Sequence, residues 1–308
     1  MRIAVIGAGG VGGYFGGRLA EAGEEVHFVA RGPHLHAMDT RGLRIHSPRG
    51  DAQIARVNAT DDPRSIGPVD VVMFTVKMYD VDTAAVLLPP LLGQHTAVIT
   101  LQNGVEVIDM LARHIPRKHV VGGVAYVAAV ISEPGVIRHT ALETLIFGEL
   151  DNKPSERLKR FAEAGTRAGF KARLSDAIEV DLWSKFTRLT VFSGFTALTR
   201  SPLGVVRNEP DLIAMMQDAI EEGIRVGRTR GVPLPEPLKN EIMQMLTTLP
   251  PESKSSMLED LERGKRLELP WLSGGVVRLG REVGVATPIH QFVATALKPF
   301  VNGPPALG

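Results

Sequence analysis

The stretch IAVIGAGGVG at residues 3–12 joins a short apolar strand to a glycine-rich turn. Residues 3–6 are all apolar and include β-branched side chains, which is typical of a parallel strand buried on both faces. Small and apolar residues at helical spacing follow over 14–22, Gly23 is suited to end that helix, and 26–30 predicts a second strand. A GxGxxG pattern inside such a strand–helix–strand unit is the context in which it binds a dinucleotide.

Each glycine of the pattern has a separate physical role. Gly7 permits the tight turn, Gly9 lets the backbone approach a pyrophosphate, and Gly12 allows the helix to pack closely on the strand. The helix N-terminus offers unpaired N–H groups and a positive dipole end to the phosphates. A glycine turn without a ligand is the alternative, which this context disfavours. The predicted cofactor contacts in the loop are Gly7, Ala8, Gly9, Gly10, Val11 and Gly12.

The residue at the end of the second predicted strand indicates which cofactor binds. An NAD enzyme places Asp or Glu there to bind the ribose 2′-hydroxyl, whereas this chain has Arg31. A guanidinium favours a 2′-phosphate through charge-assisted hydrogen bonds, so we predict NADP(H). A solvated surface arginine is the alternative.

Two further polar residues follow predicted strands. Lys77 follows the apolar run 69–76, and Asn103 follows the run 96–101. Doubly wound sheets bind ligands outside the carboxyl ends of their strands, so both residues are candidates for cofactor binding. Asn103-Gly104 is also a common turn dipeptide, and both interpretations stay open.

Hydrophobic periodicity divides the chain into two predicted domains. Strands alternate with helices in the first part, which predicts a doubly wound parallel sheet in an α/β, Rossmann-type, dinucleotide-binding domain over 1–174. Long amphipathic segments with almost no strand pattern follow, which predicts an all-α substrate and catalytic domain over 175–308. The remaining predicted strands are 69–76, 96–101, 120–131 and 144–147, with helices at 81–92, 105–114, 177–199, 211–230, 238–249, 256–262 and 268–283.

Composition excludes several classes of protein. The 35 basic and 34 acidic side chains give a net charge of +1, so no global field attracts nucleic acid or an anionic membrane. The absence of cysteine excludes thiolate catalysis and cysteine-ligated zinc, and the histidines form no HxxxH or HExxH pair, so no metal is predicted. The apolar run in the first ten residues is too short for a signal peptide, and no run in the chain approaches the length of a membrane span. These features predict a cytoplasmic protein that binds neither nucleic acid nor a membrane.

The order and spacing of several short blocks resemble the ketopantoate reductase (2-dehydropantoate 2-reductase) family almost from end to end. That resemblance implies that NADPH reduces ketopantoate to pantoate, on the way to pantothenate and coenzyme A. It also implies that Arg31 and Lys77 bind the adenosine 2′-phosphate. The blocks are GAGGVGG at 7–13, Arg31, TVK at 75–77, QNG at 102–104, LWSK at 182–185, SSMLED at 255–260, and Glu268.

The resemblance also implies the roles of four residues in the reaction. Lys185 corresponds to the general acid that protonates the developing alkoxide, and Glu268 to the glutamate that contacts the substrate near that lysine. Ser256 corresponds to a serine that holds the substrate, and Asn103 to an asparagine near the nicotinamide and the lysine. The chemistry agrees, because a ketone accepts hydride only if its oxygen gains a proton or a hydrogen bond. A solvated helical lysine and a helix-start carboxylate before Pro270 are the structural alternatives.

The sequence departs from the family after the lysine. The family's catalytic helix usually carries asparagine four and eight residues on, where this chain has Leu189 and Ser193. Leu189 cannot hydrogen-bond a hydroxyl or carboxylate, whereas Ser193 offers one short hydroxyl and is predicted to bind substrate. Arg188 and Thr190 are expected to point away from this line. The substrate side of the site is therefore less well defined than the cofactor side.

Three other functions remain open. A paralogous NADPH-dependent reductase would act on a different 2-oxo acid or ketone, consistent with Leu189 and Ser193. A non-catalytic NADP(H)-binding sensor would not need Lys185 and Glu268. A β-hydroxyacid dehydrogenase of the hydroxyisobutyrate type would need a glycine-rich substrate segment, which is not found at 115–135. The expected partner is a small-molecule 2-oxo acid, and a homodimer is expected from base rates.

Overall fold

The structure, a computed structural model, describes residues 1–305 and divides into two compact units. The first comprises Met1–Gln102 and Val107–Asp181, and the second comprises Asn103–Glu106 and the chain from Leu182 onward. Residues 306–308, the end of the predicted second domain, lie outside the described residues.

The first unit is built on a single mixed sheet. Its strands lie in the order β4-β3-β9-β8-β7-β6-β1-β2-β5, and β10 pairs with β9. The strands are β1 (Arg2–Ile6), β2 (Glu25–Val29), β3 (Leu43–His46), β4 (Ala52–Ile54), β5 (Asn58–Thr60), β6 (Val69–Phe74), β7 (Leu92–Thr100), β8 (Val120–Glu133), β9 (Val136–Glu149) and β10 (Lys171–Leu174).

Helices pack on this sheet through apolar side chains. Phe15 is fully buried and meets Phe170 edge-on, with 4.9 Å between ring centroids, and Phe147 meets Phe161 in the same way at 5.0 Å. Such contacts bury large apolar areas and hold the helices against the strands. The helices of this unit are α1 (Gly10–Glu21), α2 (Gly32–Arg41), α3 (Val81–Ala85), α4 (Val107–Ala112) and α5 (Glu156–Arg167).

The prediction of an all-parallel sheet was wrong at one side of the sheet. Strands β5, β2, β1, β6, β7 and β8 pair in parallel, but β8 and β9 form an antiparallel hairpin, and β3 and β4 are also antiparallel. Pro134-Gly135 makes the β8–β9 turn, where Gly135 has φ +82°, a conformation that glycine adopts readily. The chain therefore reverses without the helix that a parallel pair would need.

The second unit is helical throughout its described part. The long helix α6 (Ile178–Thr199) enters it from the first unit. Together with the α/β first unit, this confirms the predicted fold class. The other helices are α7 (Leu203–Val206), α8 (Pro210–Thr229), α9 (Leu238–Thr248), α10 (Ser256–Glu262), α11 (Ser273–Glu282) and α12 (Pro288–Leu297).

Prolines shorten two of the predicted helices. The helix expected over 81–92 ends at Ala85, and Pro89 and Pro90 begin a separate 3₁₀ turn. The helix expected over 268–283 begins only at Ser273, because Pro270 lies in a 3₁₀ turn that precedes it. Proline lacks the N–H that a continuing α-helix requires. No helix within residues 1–305 is long and apolar enough to cross a membrane.

Candidate active site

The glycine loop has the shape expected of a phosphate-binding turn. Gly7 has φ +97°, its N–H donates to the Val29 carbonyl at 3.1 Å, and Thr75 Oγ1 donates to the Gly7 carbonyl at 2.5 Å. A Cβ on Gly12 would overlap the Gly7 carbonyl oxygen and lie 2.5 Å from Thr75 Oγ1, so only glycine fits there. A Cβ on Gly9 would meet no atom within 4 Å, which leaves this side of the loop open to a ligand.

Helix α1 begins directly from this loop. Gly9 is its N-cap with extended backbone, and its first turn contains no acidic side chain. Gly10 packs so closely on the Ala129 carbonyl that a Cβ there would overlap it. The first N–H groups of a helix have no intrahelical partner, and together with the helix dipole they favour an anion. The loop and helix therefore fit the pyrophosphate of a dinucleotide.

The two predicted phosphate-binding cations follow the strands on either side of β1. Arg31 is exposed, follows β2 and is the N-cap of α2. Lys77 is half-buried, follows β6 and precedes a 3₁₀ turn. Because β6, β1 and β2 are parallel neighbours, their carboxyl ends lie at one edge of the sheet. The structure thus brings both cations to the edge that holds the glycine loop.

His34 borders the glycine loop but was not singled out in the sequence. The Gly135 N–H donates to His34 Nδ1 at 3.1 Å, which ties α2 to the β8–β9 turn. Burial lowers the pKa of His34, and a hydrogen bond to the Ala8 backbone opposes this shift. No spacing in the sequence indicates this contact, because it joins three segments distant along the chain.

Three of the predicted site residues meet inside the second unit. Lys185 is buried, with 9% of its surface exposed, and its Nζ donates to Asn103 Oδ1 at 3.1 Å. Asn103 Nδ2 lies 3.4 Å from Glu268 Oε2, and Glu268 is 5% exposed. The amide therefore bridges a buried ammonium and a buried carboxylate. This arrangement is stabilising because each buried charge has an oppositely polarised partner.

The surroundings of Lys185 change its protonation. Its pKa is lowered to about 7, mainly by burial and further by the positive charge of Arg188, while the Glu268 carboxylate opposes both effects. A lysine with a pKa near neutrality exists in both protonation states at neutral pH, as a proton donor in catalysis requires. Arg188, which sequence reasoning set aside, thus acts electrostatically on the candidate general acid.

The segment that carries Asn103 is held by an ion pair. Arg278 Nε donates to Glu106 Oε1 at 2.9 Å, and Arg278 Nη2 donates to Glu106 Oε2 at 2.5 Å. Arg278 Nη2 also lies 3.3 Å from the Pro270 carbonyl, close in sequence to Glu268. This two-pronged pair joins the Asn103–Glu106 segment to α11. Neither Glu106 nor Arg278 was predicted from the sequence.

The two serines predicted to bind substrate have different environments. Ser193 is fully buried, and its Oγ makes no hydrogen bond with any residue from 1 to 305. Ser256 is exposed in the first turn of α10. Its neighbour Ser255 is buried. The Ser255 Oγ accepts from the Leu258 N–H, which caps α10, and it lies within hydrogen-bond distance, 2.7 Å, of Thr196 Oγ1.

Comparison with known proteins decides the family. The family model described as ketopantoate reductase PanE/ApbA matches residues 3–152, and the model of its C-terminal part matches residues 177–301. The chain belongs to the ketopantoate reductase family. This confirms the resemblance noted in the sequence and makes the protein an oxidoreductase of the 2-dehydropantoate 2-reductase type, in a family that uses NADPH.

This chain matches its relatives along nearly its whole length. A 2-dehydropantoate 2-reductase of Mesorhizobium japonicum is 33% identical, with 97% of each chain covered. An uncharacterized oxidoreductase of Bacillus subtilis, YkpB, is 30% identical over 97% of this chain and 99% of its own. The crystal structure of a PanE/ApbA family ketopantoate reductase from Ralstonia eutropha has a TM-score of 0.89 at 34% identity, covering 97% of this chain and 98% of that chain.

Proposed function

We propose that this protein catalyses the NADPH-dependent reduction of ketopantoate to pantoate, with Lys185 as general acid. The observation that carries this proposal is the buried Lys185, hydrogen-bonded to Asn103 and with a pKa of about 7. Reduction of a ketone to an alcohol requires one hydride and one proton. When bound, NADPH supplies the hydride.

The first unit supplies the groups that would bind the cofactor. The glycine loop would place its backbone N–H groups on the pyrophosphate, and the open side at Gly9 leaves room for that approach. Arg31 and Lys77 would bind the 2′-phosphate that distinguishes NADPH from NADH. We therefore assign cofactor binding to 1–174 and substrate binding and proton transfer to 175–308.

Lys185 would place its proton on the keto oxygen as negative charge develops there. The protonated amine must be present at that moment, and Glu268 favours it because its carboxylate raises the pKa of the lysine. Asn103 fixes the position of the ammonium group through its 3.1 Å hydrogen bond. Ser193 and Ser256 remain proposed substrate contacts. Ser193 would first need to become accessible, because its side chain is fully buried.

The test is NADPH oxidation at saturating cofactor with ketopantoate as substrate. Turnover that declines as the pH rises through about 7 is expected, because only protonated Lys185 can donate. Absence of turnover despite NADPH binding would refute ketopantoate as the substrate.

A second candidate is reduction of a different 2-oxo acid whose side chain is apolar. Leu189, four residues after Lys185, is only partly buried and offers no hydrogen bond to a substrate hydroxyl. A panel of 2-oxo acids with and without that hydroxyl separates the two. Higher kcat/KM for the acids that lack the hydroxyl would favour this second candidate. A non-catalytic sensor would bind NADPH and reduce none of them.

A further inference from the structure

The segment 103–106 supplies one partner of Lys185 but has no regular structure of its own. It contains neither helix nor strand, and the side-chain amide of Asn103 reaches both Lys185 and Glu268. The conformation of a short irregular segment depends on its contacts with neighbouring elements, because it makes few regular hydrogen bonds itself. The contacts of Glu106, three residues after the asparagine, therefore bear on where the amide lies.

The Glu106 carboxylate lies against α11 and close to the part of α6 that carries the lysine. A Cβ on Gly275 of α11 would lie 3.4 Å from Glu106 Oε2 and 3.5 Å from the ring of Phe186. These are ordinary contact distances, so the carboxylate and the ring both adjoin Gly275. Phe186 is buried and directly follows Lys185 on α6.

Arg278 holds this carboxylate and a second segment at the same time. It donates to the two oxygens of Glu106 at 2.9 and 2.5 Å, and its Nη2 also donates to the Pro270 carbonyl at 3.3 Å. Pro270 lies in the 3₁₀ turn that directly follows Glu268. One guanidinium is therefore bonded to both segments that supply the partners of the lysine, the one with Asn103 and the one with Glu268.

We infer that Arg278 is a positioning residue for proton transfer, because it fixes the two partners of the Lys185 ammonium group. This inference rests on the proposed function, since it requires Lys185 to be the general acid. A planar guanidinium suits the role, because its donors have fixed directions and can bond a carboxylate and a carbonyl together. The Arg278 side chain is 45% exposed, and exposed ion pairs contribute little to the stability of a fold. A variant without it should therefore stay folded.

The loss of Arg278 should change the protonation of Lys185 in a defined direction. If Glu268 and Asn103 are no longer fixed, the ammonium form loses a nearby carboxylate and a hydrogen-bond acceptor, so the pKa of the lysine should fall below about 7. A purely electrostatic effect has the opposite sign, because removing a positive charge and leaving Glu106 unpaired would raise that pKa. The charged groups around the lysine are a cation on its own helix, a carboxylate and the ion pair at α11, namely Arg188, Glu268, and Glu106 with Arg278.

An NMR titration tests this direction without substrate. With isotopically labelled lysine, the ε-carbon resonance of Lys185 is identified by its absence in Lys185→Met and is followed as a function of pH. In Arg278→Met it should titrate at lower pH than in the wild type. Arg278→Lys, which keeps the charge but not the planar group, should lie between them. An unchanged or higher pKa of Lys185 in Arg278→Met would overturn the inference.

The matched control is Arg230→Met. Arg230 Nη1 donates to Glu282 Oε2 at 2.7 Å, and this ion pair joins the end of α8 to the last residue of α11. The substitution removes the same kind of side chain from an ion pair at the same helix, but away from Glu106 and Pro270. Lys185 should titrate in this variant as in the wild type. An equal change in the Arg230 and Arg278 variants would contradict a specific role of Arg278.

Kinetics separate positioning from binding. In Arg278→Met, kcat for the 2-oxo acid should fall about 10- to 100-fold, because a misplaced donor slows proton transfer, while KM for NADPH should hardly change. The decline of kcat with pH should move to lower pH, in parallel with the pKa of Lys185. A kcat equal to that of the wild type would contradict the inference.

A double variant tests whether the ion pair acts as a unit. Glu106→Gln leaves the contact of Arg278 with Pro270 in place, so it should lower kcat less than Arg278→Met does. The double variant should lose no more than Arg278→Met, because both substitutions break the same pair, whereas additive losses would contradict this. If the wild type does not reduce ketopantoate but the pKa of Lys185 falls in Arg278→Met, only the proposed substrate is refuted.

Discussion

The glycine loop of the first unit and the cluster of Lys185, Asn103 and Glu268 in the second unit are built in different ways. The loop is defined by backbone: a Cβ on Gly12 would overlap the Gly7 carbonyl oxygen, and Gly7 has φ +97°. The cluster is defined by side chains from three separate segments, which bring Lys185, Asn103 and Glu268 together. A backbone site leaves a short local pattern in the sequence, whereas a side-chain cluster leaves three isolated residues with no common spacing.

The difference predicts where substitutions are tolerated. In the loop, adding even a single methyl group is expected to change stability or cofactor binding, and which of the two changes depends on the glycine that is replaced. In the cluster, function depends on the chemical identity of each side chain, whereas other side chains of similar volume would preserve the fold. Substitutions in each region therefore test whether the two regions differ in this way.

The largest effect is expected at Gly12. Gly12→Ala should lower the free energy of unfolding by about 1–3 kcal/mol, because α1 must move away from β1, and should greatly weaken NADPH binding. Gly9→Ala is the matched control, since its Cβ would meet no protein atom within 4 Å. That variant should unfold like the wild type but bind NADPH less tightly. Thermal unfolding with and without NADPH measures the stability and the NADPH binding of each variant. Equal losses of stability in the two variants would contradict the expected difference between Gly12 and Gly9.

A smaller effect is expected at Arg31. Arg31→Ala should weaken NADPH binding about 10- to 100-fold by removing a charge-assisted hydrogen bond to the 2′-phosphate. NADH affinity should hardly change, because NADH lacks that phosphate. Fluorescence titration with both cofactors is the measurement. A similar loss for both would show that Arg31 has a structural role, such as positioning α2.

The smallest effect is expected at Leu189. If ketopantoate is the substrate, Leu189→Asn should raise kcat/KM for it by about 5- to 10-fold, through one added hydrogen bond to its hydroxyl. The rate with 3,3-dimethyl-2-oxobutanoate, which lacks that hydroxyl, should not increase. The ratio of kcat/KM for ketopantoate to kcat/KM for 3,3-dimethyl-2-oxobutanoate measures the contribution of the added hydrogen bond. An unchanged ratio would mean that position 189 does not contact the hydroxyl.

Local patterns predicted most of the α/β core and the long helices. The strand at Arg2–Ile6 and the helix at Ile178–Thr199 follow from apolar runs and helical spacing. Strands β3, β4 and β5 were missed because they are short. Strand β8 was predicted to within two residues, whereas β9 was predicted only over 144–147, because its first part mixes polar and apolar residues without a clear apolar run. Short strands depend on their neighbours in the sheet more than on their own sequence.

The same limit applies to the site. Family resemblance indicated Lys185, Asn103 and Glu268, but helix spacing alone placed Arg188 away from the site, whereas its charge acts on Lys185. The contacts of Glu106 with Arg278 and of His34 with Gly135 join residues far apart in sequence. Such pairings depend on tertiary packing, which single-sequence patterns do not encode. The homodimer and the cytoplasmic location stay predictions.

The most direct test of the account is hydride transfer in a single turnover by wild type and Lys185→Met. NADPH oxidation by ketopantoate should be slower in the variant by about 100-fold or more, as expected for loss of a general acid. NADPH affinity should be unchanged, because Lys185 lies in the second unit and the glycine loop in the first. A rate within about threefold of the wild type would be a far smaller loss than removal of a general acid causes, and would show that another group supplies the proton.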